Sequence, residues 1–303
     1  MRGRARRLAM PAAVAGFALL ALSGCTVPDG IDRDLTGEWR SMPEPVRWSP
    51  EVGTCHPGSF RTDSPLFAYQ PVDCQLEHVT ETVHIGEFEG GAADRVTPPP
   101  PGSPEWRDAF AECDRAAAGY LGADFRHGHL WLGVSVPSVE GWEGGARWFR
   151  CELEPFDAFG GFPKSRLGSL IGALEVDSEL RLGCFQATFT DDDEAVEEME
   201  RRDCDEPHNA EFVGVWHGPD VPYLDADDED AAERVQRGCR GQVAEYADVP
   251  VDRNLVFRTG TIAFWMSEQE WDNGDRGFRC LLWQDRELTE SLAGAGTAGL
   301  PIR

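Results

Sequence analysis

Hydrophobic and polar positions fall into three patterns along this chain. Leu8 to Leu22 is apolar, rich in alanine and free of charge. That is too short for a comfortable membrane span, and no later stretch is long and apolar enough for one. Two later windows carry a helical period. Trp106, Phe110, Cys113, Ala117 and Leu121 make one stripe, opened by Ser103-Pro104 as N-cap and first helical position and stopped by Gly122. Ala231, Val235, Cys239, Val243 and Tyr246 make the other, from about Asp227, with acidic residues in the first turn. Short β-branched or alternating runs predict strands: 52–55 and 181–184, Glu81–Ile85 and Glu211–Val215, Leu130–Val136 and Thr261–Met266. Ser267 and Glu270 have capping-box spacing, which predicts a helical turn closed by Gly274 and a return strand from Arg276.

These elements come twice, and cysteines mark the repeat. Cys55, Cys74, Cys113 and Cys151 recur as Cys184, Cys204, Cys239 and Cys280, offset by 126 to 130 residues. Cys-x3-His-x2-Glu appears at Cys74-His78-Glu81 and Cys204-His208-Glu211. Ser138…Trp142…Gly145-x-Arg147-x-Phe149-Arg150-Cys151 matches Ser267…Trp271…Gly274-x-Arg276-x-Phe278-Arg279-Cys280. Ser169-Leu170-x-Gly172-Ala173 matches Ser291-Leu292-x-Gly294-Ala295. The pattern predicts an α+β fold of two tandem homologous domains, 46–175 and 176–303. Each would be a small antiparallel sheet with one principal helix, of normal domain size.

The ninth cysteine stands apart. Arg2, Arg4, Arg6 and Arg7 precede the apolar stretch, which is the size of a signal-peptide core. Leu22-Ser23-Gly24-Cys25 resembles the lipobox of bacterial lipoproteins in all four positions. The resemblance implies cleavage after residue 24, acylation of Cys25, a 25–45 tether, and both domains held outside the cytoplasmic membrane. Two or more acyl chains make a stable anchor. In an exported protein the other eight cysteines read as disulfides. Sequence leaves the connectivity open. Pairing confined to each domain leaves three patterns apiece, of which neighbours are expected: Cys55–Cys74, Cys113–Cys151, Cys184–Cys204 and Cys239–Cys280.

Charge narrows the partners. The chain has 54 acidic and 28 basic residues, with Lys164 its one lysine, for a net charge of −26. Such acidity argues against nucleic acid and against lying flat on anionic lipid. Acidic runs such as Asp191-Asp192-Asp193-Glu194 lack the spaced carboxylates and central glycine of an EF-hand, and read as solvated loop.

The combined motifs resemble the septum-formation domain family of actinobacterial exported proteins. The carrying residues are Gly53-x-Cys55, Cys204-x-Glu206-Pro207-His208-x-Ala210-Glu211, the mid-helix cysteine, Trp271-x2-Gly274-Asp275-Arg276, Cys280-Leu281-Leu282 and Ser291-Leu292-x-Gly294-Ala295. The first unit departs at Leu76-Glu77-His78, which lacks the proline, and at Ala146, where the family has Asp. The resemblance implies a link to cell division and no catalytic residues.

No nucleophile elbow, Ser-x-x-Lys or phosphate-binding glycine loop is present. Two repeated constellations remain as candidate binding residues. Trp142 with Arg147, and Trp271 with Arg276, could form cation–π shelves, against the alternative of a Trp packed on its sheet. His78 and His208 could face a ligand or half a zinc site, against the alternative of fixing the turn after the cysteine. The expectation is a non-enzymatic envelope lipoprotein, with no cofactor and no metal, that binds a division or wall-synthesis protein or wall polymer. The alternatives are an enzyme acting on peptidoglycan or glycan through carboxylates, and a ligand carrier with a site between the domains.

Overall fold

Two five-stranded sheets, each with its own principal helix, make up the structure. The computed structural model describes residues 48–157, 159, 161–175, 178–190 and 195–303. The signal segment, Cys25, the tether and the acidic run 191–194 lie outside those residues. No helix among the described residues is long and apolar enough to cross a membrane.

In the first half, β1 (Thr54–His56), β2 (Asp63–Ser64), β3 (Thr80–Glu87), β4 (Leu130–Pro137) and β5 (Trp148–Pro155) form a sheet in the order β1-β3-β5-β4-β2. Helices α1 (Gly90–Ala93), α2 (Pro104–Leu121) and α3 (Val139–Glu143) lie between the strands in sequence. In the second half, β6 (Cys184–Phe189), β7 (Val196–Arg202), β8 (His208–His217), β9 (Gly260–Phe264) and β10 (Gly277–Leu288) run in the order β7-β6-β8-β10-β9. Its helices are α4 (Glu229–Ala247), α5 (Glu268–Asn273) and α6 (Gly296–Gly299). The fold is α+β, and β1-β3-β5-β4 and β6-β8-β10-β9 share one arrangement. Two strands were not legible. β2 joins β4 in parallel, so the first sheet is mixed rather than antiparallel. The loop after β1 carries β2 there, and Val136 donates to the Thr62 carbonyl at 3.0 Å. Strand β7 reads Val-Glu-Glu-Met-Glu-Arg-Arg at the exposed edge, without alternation of apolar and polar residues.

Local chemistry explains the helices. Ser103 Oγ accepts from the Trp106 N–H at 3.2 Å, and Gly122 ends α2 with φ 83°, which glycine adopts without strain. Asp228 caps α4 through the Ala231 N–H at 2.8 Å. Both apolar stripes are buried except for the half-buried Tyr246, and Cys113–Cys151 and Cys239–Cys280 fasten them to β5 and β10. Cys55–Cys74 and Cys184–Cys204 close the loops that enter β3 and β8.

A buried carboxylate organises each half. Glu81 accepts from Tyr120 Oη (2.5 Å), Ser169 Oγ (2.5 Å) and the Leu170 N–H (2.6 Å). Glu211 accepts from Tyr246 Oη (2.7 Å), Ser291 Oγ (2.9 Å) and the Leu292 N–H (2.9 Å). Strand, helix and tail thus meet on one acid, which is why the Ser-Leu tail follows each unit. Burial, with Glu81 beside it, pushes the Tyr120 hydroxyl up to about 12, and burial with Glu211 raises Tyr246.

The halves meet through the helix-free face of the second sheet. Cys280 points to α4, so its neighbour Arg279 points away. Arg279 donates from Nε to the Arg126 carbonyl (3.0 Å) and from Nη2 to the Leu130 carbonyl (2.7 Å). Arg126 is 1% exposed in its side chain and binds three aspartates: Asp114 (3.1 Å), Asp124 (3.0 Å) and Asp275 (2.8 Å), the last from the second half. Gly277 allows this approach, because a Cβ there would stand 2.2 Å from the Arg126 side chain. Leu182 N–H to His127 O (2.9 Å), His129 N–H to Leu180 O (2.8 Å) and Gly102 N–H to Asn273 Oδ1 (3.0 Å) also cross the seam.

Candidate functional site

A cleft of about 510 Å³ opens along this seam, within the size range of small-molecule sites. One wall belongs to the first half: Trp131 to Val134 of β4, Trp106 and Phe110 of α2, and Phe125. The other belongs to the second half: Phe264, Trp265 and Met266 at the end of β9, then Arg279. Phe159 from the connecting segment stacks on Phe264 with centroids 3.8 Å apart, bridging the walls. Strand β9 stops at Phe264, two residues short of the expected Met266, which leaves Trp265 and Met266 to the lining. Gly133 shapes the floor, since a Cβ there would meet the Phe60 ring at 2.4 Å.

Three acids line the cleft. Glu154 accepts the Phe60 N–H at 3.0 Å, and burial raises its carboxyl. Glu270 closes the capping box of α5, taking the Ser267 N–H and Oγ–H at 2.7 Å each. Asp275 holds Arg126 and the Gly277 N–H (2.9 Å). Each acid therefore already has protein donors. A cleft lined so largely by aromatic side chains favours an apolar body over a sugar or a chain of charges.

The two repeated constellations lie elsewhere. Trp142 and Trp271 are each 1% exposed, and their indole N–H groups donate to Arg95 O (2.8 Å) and Val221 O (3.0 Å). Arg147 and Arg276 each lie 4.1 Å over the neighbouring Trp ring. Arg147 Nη1 donates to Trp142 O and Ala146 O, both at 2.7 Å, and Arg276 Nη1 donates to Trp271 O and Asp275 O. The stack is internal: a guanidinium staples the turn that ends the short helix. His78 Nδ1 hydrogen-bonds Leu76 O (2.8 Å) and His208 Nδ1 hydrogen-bonds Glu206 O (2.7 Å), which fixes the turn after each cysteine. Cys184, His208 and Glu211 cluster, as do Cys55, Cys74 and Glu81. Their sulfurs are in disulfides and offer no thiolate.

Sequence reasoning placed Trp106 and Phe110 on a helix stripe and Ser267 and Glu270 in a capping box without bringing them together as a cleft. The aromatics were visible one by one, but no spacing links Phe125, Trp131 and Phe156 to Phe264 and Trp265. Only the packing of the halves does.

The fold and cleft define a disulfide-bonded, two-sheet α+β protein with an aromatic cavity between its halves. The septum-formation family profile matches residues 52–280, and the chain belongs to that family. Membership links it to septum formation, and one match spans both four-cysteine units. No curated protein and no solved structure matches the chain.

Proposed function

We propose that this protein is an exported, lipid-anchored binding protein of the septum-formation family, holding a small apolar molecule in the shared cleft. The aromatic cavity built by both halves carries this reading. A flat apolar patch around the Trp loops would instead favour a protein partner, and those tryptophans are enclosed. The acids at the cleft are each engaged by protein donors, which supports binding without catalysis. Shared strand order and the matching Glu81 and Glu211 centres support descent of the halves from one duplicated unit. The Leu22-Ser23-Gly24-Cys25 motif supports acylation of Cys25 and a place on the outer face of the cytoplasmic membrane. There the cleft would serve a division or wall-assembly step.

Native mass spectrometry of the protein released from membranes tests this. The expected mass is a chain starting at Cys25 with a diacylglyceryl thioether and an N-acyl group, carrying a dissociable small molecule. An unacylated chain retaining residues 1–24 would remove the anchor. An empty protein that turns over wall fragments would replace binding with catalysis.

A further inference from the structure

Arg279 lines the cavity and makes its two hydrogen bonds to backbone carbonyls. Carbonyls satisfy N–H groups without cancelling the charge, and among the described residues no carboxylate pairs with Arg279. Its neighbour Arg126 has three aspartates. The contrast with the first half is sharper. In Arg150-Cys151-Glu152, Arg150 pairs with Glu152 across the cysteine at 3.1 Å and donates to Ser64 at 2.9 Å. The equivalent run in the second half is Arg279-Cys280-Leu281, and Leu281 is fully buried. Where one strand supplies an acid, the other supplies a hydrocarbon. Acids are not scarce in a chain with 54 of them.

Around Arg279 the setting is apolar. The Phe125 and Phe156 rings lie 5.9 and 5.6 Å from its guanidinium carbon, and burial pulls its pKa down to about 10. The charged groups acting on it are Asp275 and Asp124, both committed to Arg126, Glu270, committed to Ser267, and Arg126 itself. Arg126 with its three aspartates leaves negative charge nearby, but none of those acids stands within ion-pair distance of Arg279, so its direct ion pair awaits an anion that arrives with the ligand. A guanidinium with remaining donors also suits an oxyanion geometrically.

We infer that the cleft takes an amphipathic acid, an apolar or aromatic body bearing one oxyanionic group that pairs with Arg279. This rests on reading the cleft as a ligand site. The shared chemistry fits either a fatty acid or an aromatic acid.

Two fluorescent probes that differ only in a sulfonate test it. They are 1-anilinonaphthalene-8-sulfonate and neutral N-phenyl-1-naphthylamine, titrated into the full exported chain carrying Cys25→Ser, which needs no detergent. The sulfonate should bind about 10- to 100-fold tighter, the range for a hydrogen bond to a charged group. Arg279→Gln should erase that preference by weakening the sulfonate alone, and Arg279→Lys should keep most of it. Oleate or 1-naphthoate should displace the bound sulfonate, and whichever does so identifies the ligand as fatty or aromatic. Equal binding of the two probes by the wild-type cleft overturns the inference. So does equal weakening of both by Arg279→Gln, or displacement by neither acid. Should Arg279→Gln lose its near-ultraviolet circular dichroism, the wild-type preference and its retention in Arg279→Lys decide. If neither probe binds at all, the reading of the cleft as a ligand site fails instead.

Discussion

At the scale of single residues, His129 shows how burial is set by partners far along the chain. His129 stands just before β4, two residues after His127. In the structure His129 is 7% exposed, ringed by Phe156, Phe159 and Phe185, and among the described residues neither ring nitrogen has a hydrogen-bond partner. Burial, then Arg201 and Arg279, pulls its pKa down to about 4. The unfolded chain therefore gains a proton near pH 6.5 that the folded chain refuses until about pH 4. Stability from this site is full above pH 6.5 and falls through that window by about 1.4 kcal/mol per pH unit. Buried Glu152 and Glu154, whose carboxyls are raised, act in the opposite sense. A difference measurement isolates the histidine. His129→Leu should be at least as stable as wild type at pH 7 and should gain on it by about 3 kcal/mol by pH 4, in urea unfolding. Parallel pH curves for the two proteins would refute this. The same lesson covers Trp142 and Trp271. Their spacing from Arg147 and Arg276 was legible, but whether the stack faced solvent was not, because Arg95 O and Val221 O complete it from elsewhere.

At the scale of elements, boundaries were legible wherever the backbone needed a particular residue. Ser103, Gly122, the Ser267–Glu270 box and Gly274 sit at the ends they suggested, because orphan N–H groups and left-handed turns leave little choice. Strands β2 and β7 gave no signal, since one is two residues long and the other is exposed and acidic. What joins the elements is a buried acid in each half. The Cys-x3-His-x2-Glu spacing marked Glu81 and Glu211 without revealing that helix tyrosine and tail serine converge on them. Replacing either by Gln keeps the shape, removes the charge from three hydrogen bonds at Glu81 and from four at Glu211, where His208 Nε2 also reaches the carboxylate at 3.3 Å, and sets an amide N–H₂ among donors. We expect Glu81→Gln and Glu211→Gln each to cost about 2–4 kcal/mol in urea unfolding. A neutral outcome at one position and a large cost at the other would mean that the two centres are not equivalent.

At the scale of the whole molecule, no disulfide among the described residues joins the halves. Cys55–Cys74 and Cys113–Cys151 lie in the first, Cys184–Cys204 and Cys239–Cys280 in the second. Their union rests on the seam, and its most buried charge is Arg126. Three aspartates outweigh the effect of burial and hold its guanidinium charged. Desolvating these ions is expensive, so the cluster adds little net stability compared with a well-packed apolar substitute. Breaking it from one side is another matter. Arg126→Met would leave Asp114, Asp124 and Asp275 facing one another, and should cost about 3–5 kcal/mol. The loss should appear as a split. Tryptophan fluorescence, dominated by residues at the cleft and in the cores, and far-ultraviolet circular dichroism should coincide in wild-type urea unfolding and separate in Arg126→Met. Adding Asp275→Asn should recover part of the cost, because it removes the one acid contributed across the seam. A single coincident transition in Arg126→Met at the wild-type midpoint would mean that the aromatic contacts, led by Phe159 on Phe264, hold the halves together without it.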